Sequence, residues 1–261
     1  MTKKLFLIDG HAHCYKAFYA IPHLSSPDGR PTNAVYGFTG MLLKVLREQK
    51  PDYIAAVFDT PAPTFRHERF AEYKAQRKPM PDDLRPQIDL IKEVVEAANV
   101  TMLAVPGYEA DDVIGTLAKR ASAEGIDVYI ATGDKDAQQL LDEHVRLFDT
   151  KLGKEYTADD LAEEKGIRAD QVVDMMALSG DTSDNVPGIR GIGPKTALKL
   201  IQDYDSLENV FDHIDELSGK TLKKRLSEGG ELAETSRKLV TLDTNVPLDI
   251  GPADCVVREP D

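Results

Sequence analysis

Three apolar, strand-like runs of this chain end in aspartate: Leu5–Asp9, Tyr53–Asp59, and a run from Asp127 that closes on Thr132-Gly-Asp134. A fourth, Thr101–Val105, passes through Pro-Gly into Glu109-Ala-Asp111-Asp112 at the start of a helical pattern, and Val145–Phe148 is a fifth. Amphipathic patterns lie between them. One starts near Thr32 or Asn33, puts Val35, Phe38, Leu42, Val45 and Leu46 on one side and stops before Pro51. Another follows Asp82 and Asp83, with Leu84, Ile88, Ile91, Val94 and Val95 on one face, and a third runs from Ala110 to Ala123. Alternation of this kind predicts an α/β fold, a mostly parallel central sheet flanked by helices. Such sheets bind ligands at the carboxyl ends of their strands, so these acids fall on one edge.

After Lys151 the pattern changes to short helical segments separated by glycine-rich turns, with no strand expected before the tail. The expected division is an α/β core over 1–158 and a helical region over 159–261. With 261 residues and 41% hydrophobic content, a sizeable core is within reach. The segment from Thr60 to Pro81 fits neither pattern; it is rich in Arg, Lys, Phe and Tyr and longer than a compact connection needs. No apolar stretch approaches the roughly 20 residues that span a bilayer, and the short run after Met1 lacks the features of a secretory signal. Cys14 and Cys255 show no metal-site spacing and suggest no disulfide framework. A soluble cytoplasmic protein without a membrane partner is expected.

Asp136 follows Asp134 by two, and Asp181 and Asp184 sit in Ser-Gly-Asp-Thr-Ser-Asp-Asn185 at the entry to the helical region. Nine acids thus gather from five segments: Asp9, Asp59, Glu109, Asp111, Asp112, Asp134, Asp136, Asp181 and Asp184. Like charges at close range repel unless cations neutralise them. Carboxylate ligands suit Mg²⁺ or Mn²⁺, and two such ions about 4 Å apart are a common device for splitting a phosphodiester. The net charge of −13 does not by itself exclude a nucleic-acid partner, since clustered carboxylates with bound ions cancel locally. A dehalogenase-type phosphatase would carry an acid where His11 stands, and Pro194 interrupts the only phosphate-loop-like spacing, Gly188 to Thr196. Individually, an aspartate at a strand end can be a turn former, and the acids of 109–112 can simply favour a helix dipole.

Taken in order, the motifs Phe-Asp59, Thr-Phe65-Arg66, Tyr73-Lys74-Ala-Gln-Arg77, Met80-Pro-Asp-Asp-Leu84, Gly107-Tyr-Glu-Ala-Asp-Asp-Val-Ile114, Thr-Gly-Asp-Lys-Asp136 and Val186-Pro-Gly-Ile-Arg-Gly-Ile-Gly-Pro-Lys-Thr-Ala197 cover nearly the whole chain. Jointly they resemble the 5′–3′ exonuclease domain of bacterial DNA polymerase I. The resemblance implies a structure-selective 5′ nuclease that cuts 5′ flaps and removes 5′-terminal nucleotides, RNA primers included. One metal would be held by Asp9, Asp59, Glu109 and Asp111, and a second by Asp134, Asp136 and Asp181, with Asp112 and Asp184 acting directly or through water. A basic helical arch at about 64–82 would cover the site, with Lys74 and Arg77, three apart and so on one helical face, on the scissile phosphate, Tyr73 stacking on a base and Arg66 on the strand.

A helix–three-turn–helix at about 181–203 would grip duplex DNA through Gly188, Arg190, Gly191, Gly193, Lys195, Thr196 and Lys199, with a K⁺ ion often carried there. The implied partner is branched or nicked duplex DNA with a 5′ flap or 5′ end, and the chain is a monomer or covalently part of a polymerase. Lys16 departs from the arginine common in relatives; it keeps the charge for a phosphate but loses the guanidinium fork. His11 and His13 have no further His or Cys ligands nearby to make a zinc site. The alternatives are a PIN-type ribonuclease, usually shorter and without the arch and three-turn element, and a non-catalytic nucleic-acid clamp, which would gain nothing from clustered acids.

Overall fold

The computed structural model describes residues 2–22 and 24–260. A six-stranded sheet has the order β3-β2-β1-β4-β5-β6, made of β1 (Lys4–Asp9), β2 (Tyr53–Val57), β3 (Thr101–Leu103), β4 (Asp127–Ala131), β5 (Val145–Asp149) and β6 (Lys154–Tyr156). The first five strands run parallel, and β6 returns antiparallel to β5. That last strand corrects the expectation of none after Lys151. Asp149 accepts the N–H groups of Lys151 and Leu152 and turns the chain back on itself. At three residues, two of them exposed, β6 carries no alternation to read.

Burial follows the strand period. On β1, Phe6 and Ile8 join one apolar cluster with α2 (Asn33–Lys44) and α4 (Arg85–Ala97), while Leu5 and Leu7 join another with α5 (Ala110–Ala123). Helix α1 (Gly10–Ala20) follows β1 without a loop because the Asp9 side chain accepts the Ala12 N–H at 3.0 Å and caps it. A Cβ at Gly10 would lie 2.5 Å from the Phe58 ring, so only glycine allows helix and strand to approach there.

A separate apolar cluster holds α6 (Ala158–Lys165), α7 (Val172–Ser179), α8 (Pro194–Tyr204), α9 (Leu207–Asp212) and α10 (Lys220–Val240) together, through residues such as Leu161, Leu178, Ile201, Val210 and Leu226. Beyond α10 the chain returns to the sheet: Val246 and Cys255 are fully buried beside α5, and Ile54 donates to the Cys255 carbonyl at 2.7 Å. Among the described residues no helix is long and apolar enough to cross a membrane.

Candidate active site

The strand order reverses beside β1, the position at which open α/β sheets form a ligand crevice. Asp9 ends β1, Asp59 lies two residues beyond β2, Asp134 three beyond β4, and Asp111 in the first turn of α5. Backbone N–H groups and one hydroxyl aim them. Asp9 accepts from Thr132 Oγ1 at 2.9 Å, Asp59 from the Ala110 N–H at 2.8 Å, and Asp134 from the Asp136 N–H at 2.9 Å.

These carboxyls act on one another. Burial, aided by the charges of Asp59 and Asp134, pushes Asp9 up to about 6. Burial and the charges of Asp9, Asp134 and Asp59 hold Asp111 well above the ordinary carboxylate range. Asp136 is pushed up to about 8 by burial and by Asp134, Asp181 and Asp184. Two overlapping groups result, with Asp134 common to both. Asp136 Oδ1 is buried with no hydrogen-bond partner. Among the described residues no three such side chains stand in a closed metal-binding arrangement. The physical reason is that several are turned onto N–H groups or cations instead. Lys74 Nζ lies 2.7 Å from Glu109 and 3.5 Å from Asp184, Lys135 Nζ lies 3.0 Å from Asp181, and Arg77 pairs with Asp184. Although burial opposes it, hydrogen bonds from Ser183 and Lys135 keep Asp181 below its ordinary value. An all-oxygen donor set whose carboxyls are crowded enough to retain protons, with one orphaned oxygen, fits hard divalent cations.

Four expectations change. Asp112 is not free to bind a cation: it is fully buried, and its Oδ1 accepts from Arg66 and the Asp243 N–H, its Oδ2 from Arg66 and the Glu109 N–H. Arg66, expected on the strand, is only 1% exposed and its guanidinium is turned inward; it also donates to the Leu239 and Thr241 carbonyls at 2.7 and 2.9 Å. The position of Asp112, three residues after the helix-capping Glu109, was the available signal, since an acid there closes a capping box. The segment at 64–82 is not one helix: α3 (Phe65–Arg69) is a single short turn, and Lys74 has φ 55, so Lys74 and Arg77 share no helical face. Tyr73 is buried, donates to Glu109 at 3.1 Å and packs edge-on against His67, so its ring does not stand free to stack on a base. The segment is tied to the loop after α7 by the Lys74 N–H on the Asp184 carbonyl, 2.9 Å.

The turn between α7 and α8 is held from below. Asp181 and Val186 exchange backbone hydrogen bonds. Gly180 and Gly188, both at positive φ, approach so closely that a Cβ at Gly188 would lie 2.2 Å from the Gly180 nitrogen. Two α10 residues complete it: Ser236, which nothing in the sequence marks, accepts the Gly188 N–H at 2.8 Å, and Arg225, one of a basic run at 220–225, donates to the Gly191 carbonyl at 2.8 Å. Helix α8 buries Ala197, Leu200 and Ile201 and leaves Lys195, Thr196 and Lys199 exposed, along with Arg190, Gly191 and Gly193 before it. Lys199 pairs with Asp203 at 3.2 Å, and Lys16 on α1 lies 3.8 Å from Asp149.

His11 accepts the Asp59 N–H, and buried His13 bridges the Asp9 carbonyl and Thr150. Burial pushes His13 down to about 4. The folded protein therefore binds fewer protons than the unfolded chain between about pH 4 and 6.5, and this contribution to stability falls as pH drops through that window. From pH 7 to 5 the wild type is expected to lose about 2 kcal/mol more unfolding free energy than His13→Gln. Parallel urea titrations check it; equal losses would show that His13 does not titrate between the two states.

The family described as "5'-3' exonuclease, N-terminal resolvase-like domain" matches residues 4–166, and "5'-3' exonuclease, C-terminal SAM fold" matches 167–261. The 5'-3' exonuclease of Aquifex aeolicus is 38% identical over 99% of this chain and 88% of its own. The thermostable DNA polymerase I of Thermus thermophilus is 46% identical over 95% of this chain, yet the match spans 29% of that protein. A zinc-bound T5 5'-exonuclease superposes with TM-score 0.77 at 23% identity, over 93% of this chain and 90% of that one. The catalytic core of Rad2 with DNA substrate does so at 0.59 and 17%, over 97% and 84%. At those identities the two structures speak to the fold alone, which they share. Two family matches that together run from residue 4 to 261, and a full-length relative at 38%, show that this chain belongs to the 5′–3′ exonuclease family.

Proposed function

We propose that this chain hydrolyses DNA phosphodiesters at 5′ ends and 5′ flaps, RNA primers included, with two Mg²⁺ or Mn²⁺ ions held by Asp9, Asp59, Glu109 and Asp111 and by Asp134, Asp136 and Asp181. The observation that carries the reading is the gathering of acids at the switch point, where burial and then neighbouring charges raise Asp9, Asp111 and Asp136 together. Bound cations supply Lewis-acid charge to an attacking water and to the phosphate as negative charge builds on it. The protein's own contribution is placement: Thr132 fixes Asp9, the α5 N-terminus fixes Asp59, and Lys74 brings a cation between Glu109 and Asp184. Residues 1–158 form the nuclease core in this reading, and 159–261 supply the DNA grip. The test is cleavage of a labelled 5′ flap with Mg²⁺, with EDTA and single-stranded RNA as controls. Cleavage of the RNA but not the flap would turn the reading to a ribonuclease.

Lys74 stabilises developing charge rather than the bound substrate, so its effect belongs in turnover. Lys74→Ala is expected to slow single-turnover cleavage by about 10²-fold, by analogy with loss of one preorganised donor, with the duplex dissociation constant nearly unchanged. A held rate with weakened affinity would make this segment a tether instead.

Duplex binding falls to the exposed Arg190, Gly191 and Gly193 and to the start of α8, whose N-terminus meets phosphates without reading bases, while the buried Gly188, its N–H on Ser236, shapes the turn rather than touching DNA. A K⁺ ion in that turn belongs to the same proposal. Replacing Lys195 and Lys199 by Ala is expected to flatten log affinity against log salt by about 0.9 per lost contact, equally for unrelated sequences. The chain spans 27–31% of the DNA polymerase I relatives it matches, and action beside a polymerase is part of this proposal.

A further inference from the structure

Strands β1 and β2 pair in parallel with Asp9 opposite Val57. Asp59 lies two residues past that last pair, just as His11 lies two residues past Asp9. Successive amides along a strand point to opposite sides. The Phe58 N–H goes to the Leu103 carbonyl on the β3 side at 2.8 Å, so the Asp59 N–H points toward β1. No strand continues there, because β1 ends at Asp9 and gives way to α1 at Gly10. The His11 imidazole takes the place of the missing strand carbonyl: its Nδ1 accepts the Asp59 N–H at 3.1 Å. A nitrogen that accepts an N–H carries a lone pair and no proton, so in the neutral ring this contact puts the proton on Nε2.

The contact is to the main chain rather than to the carboxylate. His11 Nδ1 is 3.6 Å from Asp59 Oδ2, too far for a hydrogen bond, while Asp59 Oδ1 takes the Ala110 N–H at 2.8 Å. Asp59 is thus held at two points, its amide from α1 and one carboxylate oxygen from α5, with Oδ2 left uncommitted among the described residues. Its side chain is 47% exposed and lies beyond the sheet, so little else fixes it. The His11 ring is itself braced edge-on against Phe58 at 5.7 Å.

Resting on the nuclease reading, we propose that His11 is a positioning residue: it stands in for the missing strand partner of Asp59 and sets the angle at which Oδ2 meets a divalent cation. Groups behind a metal ligand change metal affinity or activity by about 10- to 100-fold although they touch no metal. Two variants separate the hydrogen bond from the packing. Asn carries Oδ1 one bond beyond Cγ, as His carries Nδ1, and keeps an acceptor there without the ring; Phe keeps a ring against Phe58 without an acceptor. The first readout needs no metal: hydrogen exchange of the Asp59 amide, followed by NMR in EDTA at neutral pH. Exchange is expected to quicken about tenfold in His11→Phe and to stay within about twofold of wild type in His11→Asn. The second is single-turnover flap cleavage across Mg²⁺ concentrations. Half-saturating Mg²⁺ is expected to rise about tenfold in His11→Phe and to hold in His11→Asn, with half-saturating DNA unchanged in both. His11→Leu, which also lacks the acceptor, takes the place of His11→Phe if the latter does not fold. Wild-type behaviour of the acceptor-free variant, or equal losses in it and in His11→Asn, overturns the proposal. Should the wild type not cleave the flap, the nuclease reading fails, and exchange alone decides whether His11 holds Asp59: a tenfold rise confined to the acceptor-free variant supports it, and any other pattern overturns it.

Discussion

Asp111→Asn is expected to lower single-turnover flap cleavage by about 10³-fold or more, because a lost anionic ligand removes several kcal/mol of charge stabilisation at the phosphate. The same change is expected to stabilise the fold. Burial and the charges of Asp9, Asp134 and Asp59 hold Asp111 well above the ordinary carboxylate range, so its ionised form opposes folding at neutral pH. An amide of the same shape removes that repulsion. The variant should therefore melt higher than wild type in EDTA and gain less on addition of Mg²⁺, since ligand binding to the native state is what raises stability there. Asp89→Asn, an exposed acid on α4, serves as the control and should leave rate and melting unchanged. Unchanged cleavage by Asp111→Asn in Mg²⁺-restored buffer would remove Asp111 from the metal set, whatever the melting data show. Loss of activity with a lower melting temperature in EDTA would make the defect one of folding.

What the sequence disclosed, and what it hid, divides by range. Helix α5 runs over the residues that its pattern marks, because Val113, Ile114, Leu117, Ala118 and Ala121 all meet the sheet. The acids at strand ends were legible for a related reason: in a parallel sheet the strand's direction alone places its last residue on the ligand edge. Helix α1 was not read, since it begins directly at Gly10 with no loop and has little apolar bias to reveal it. The segment at 64–82 misled because composition says that cations and aromatics are present but not where they point. Tyr73 and Lys74 turn inward through one left-handed residue, which local pattern does not foretell for a lysine. Ser236 supports the α7–α8 turn from tens of residues away with nothing local to single it out, and Arg225, legible only as one cation of a basic run, turns out to hold the Gly191 carbonyl.

The pairing of Arg66 with Asp112 is the clearest case of a long-range contact that reverses a local reading, and it carries the second large expectation. Arg66 is 1% exposed, and its guanidinium makes a two-point contact with Asp112 at 2.7 Å on each side. Its remaining N–H groups reach the Leu239 and Thr241 carbonyls, and Asp112 takes the Asp243 and Glu109 N–H groups. One buried pair thus joins α3, the start of α5 and the end of α10, which come from three separate stretches of chain. Removing one partner leaves the other charge buried without its counter-ion, at a cost of about 3–5 kcal/mol. Arg66→Met is therefore expected to lower the unfolding free energy by about that much, measured by urea titration at neutral pH. Arg66→Lys should recover only part of it, because an ammonium cannot make the two-point contact and reach both carbonyls as well. The double change Arg66→Met/Asp112→Leu removes both charges but strands four backbone groups, so it should remain less stable than wild type while losing less than the two single changes added together. Cleavage by Arg66→Met should fall too, with its Mg²⁺ dependence shifted upward, because the Glu109 carboxylate loses the Arg66 guanidinium 3.5 Å away beside the acid pocket. If Arg66→Met instead unfolds like wild type and loses only affinity for flapped DNA, then Arg66 acts on the strand, and the buried pair does not hold these three elements together in solution.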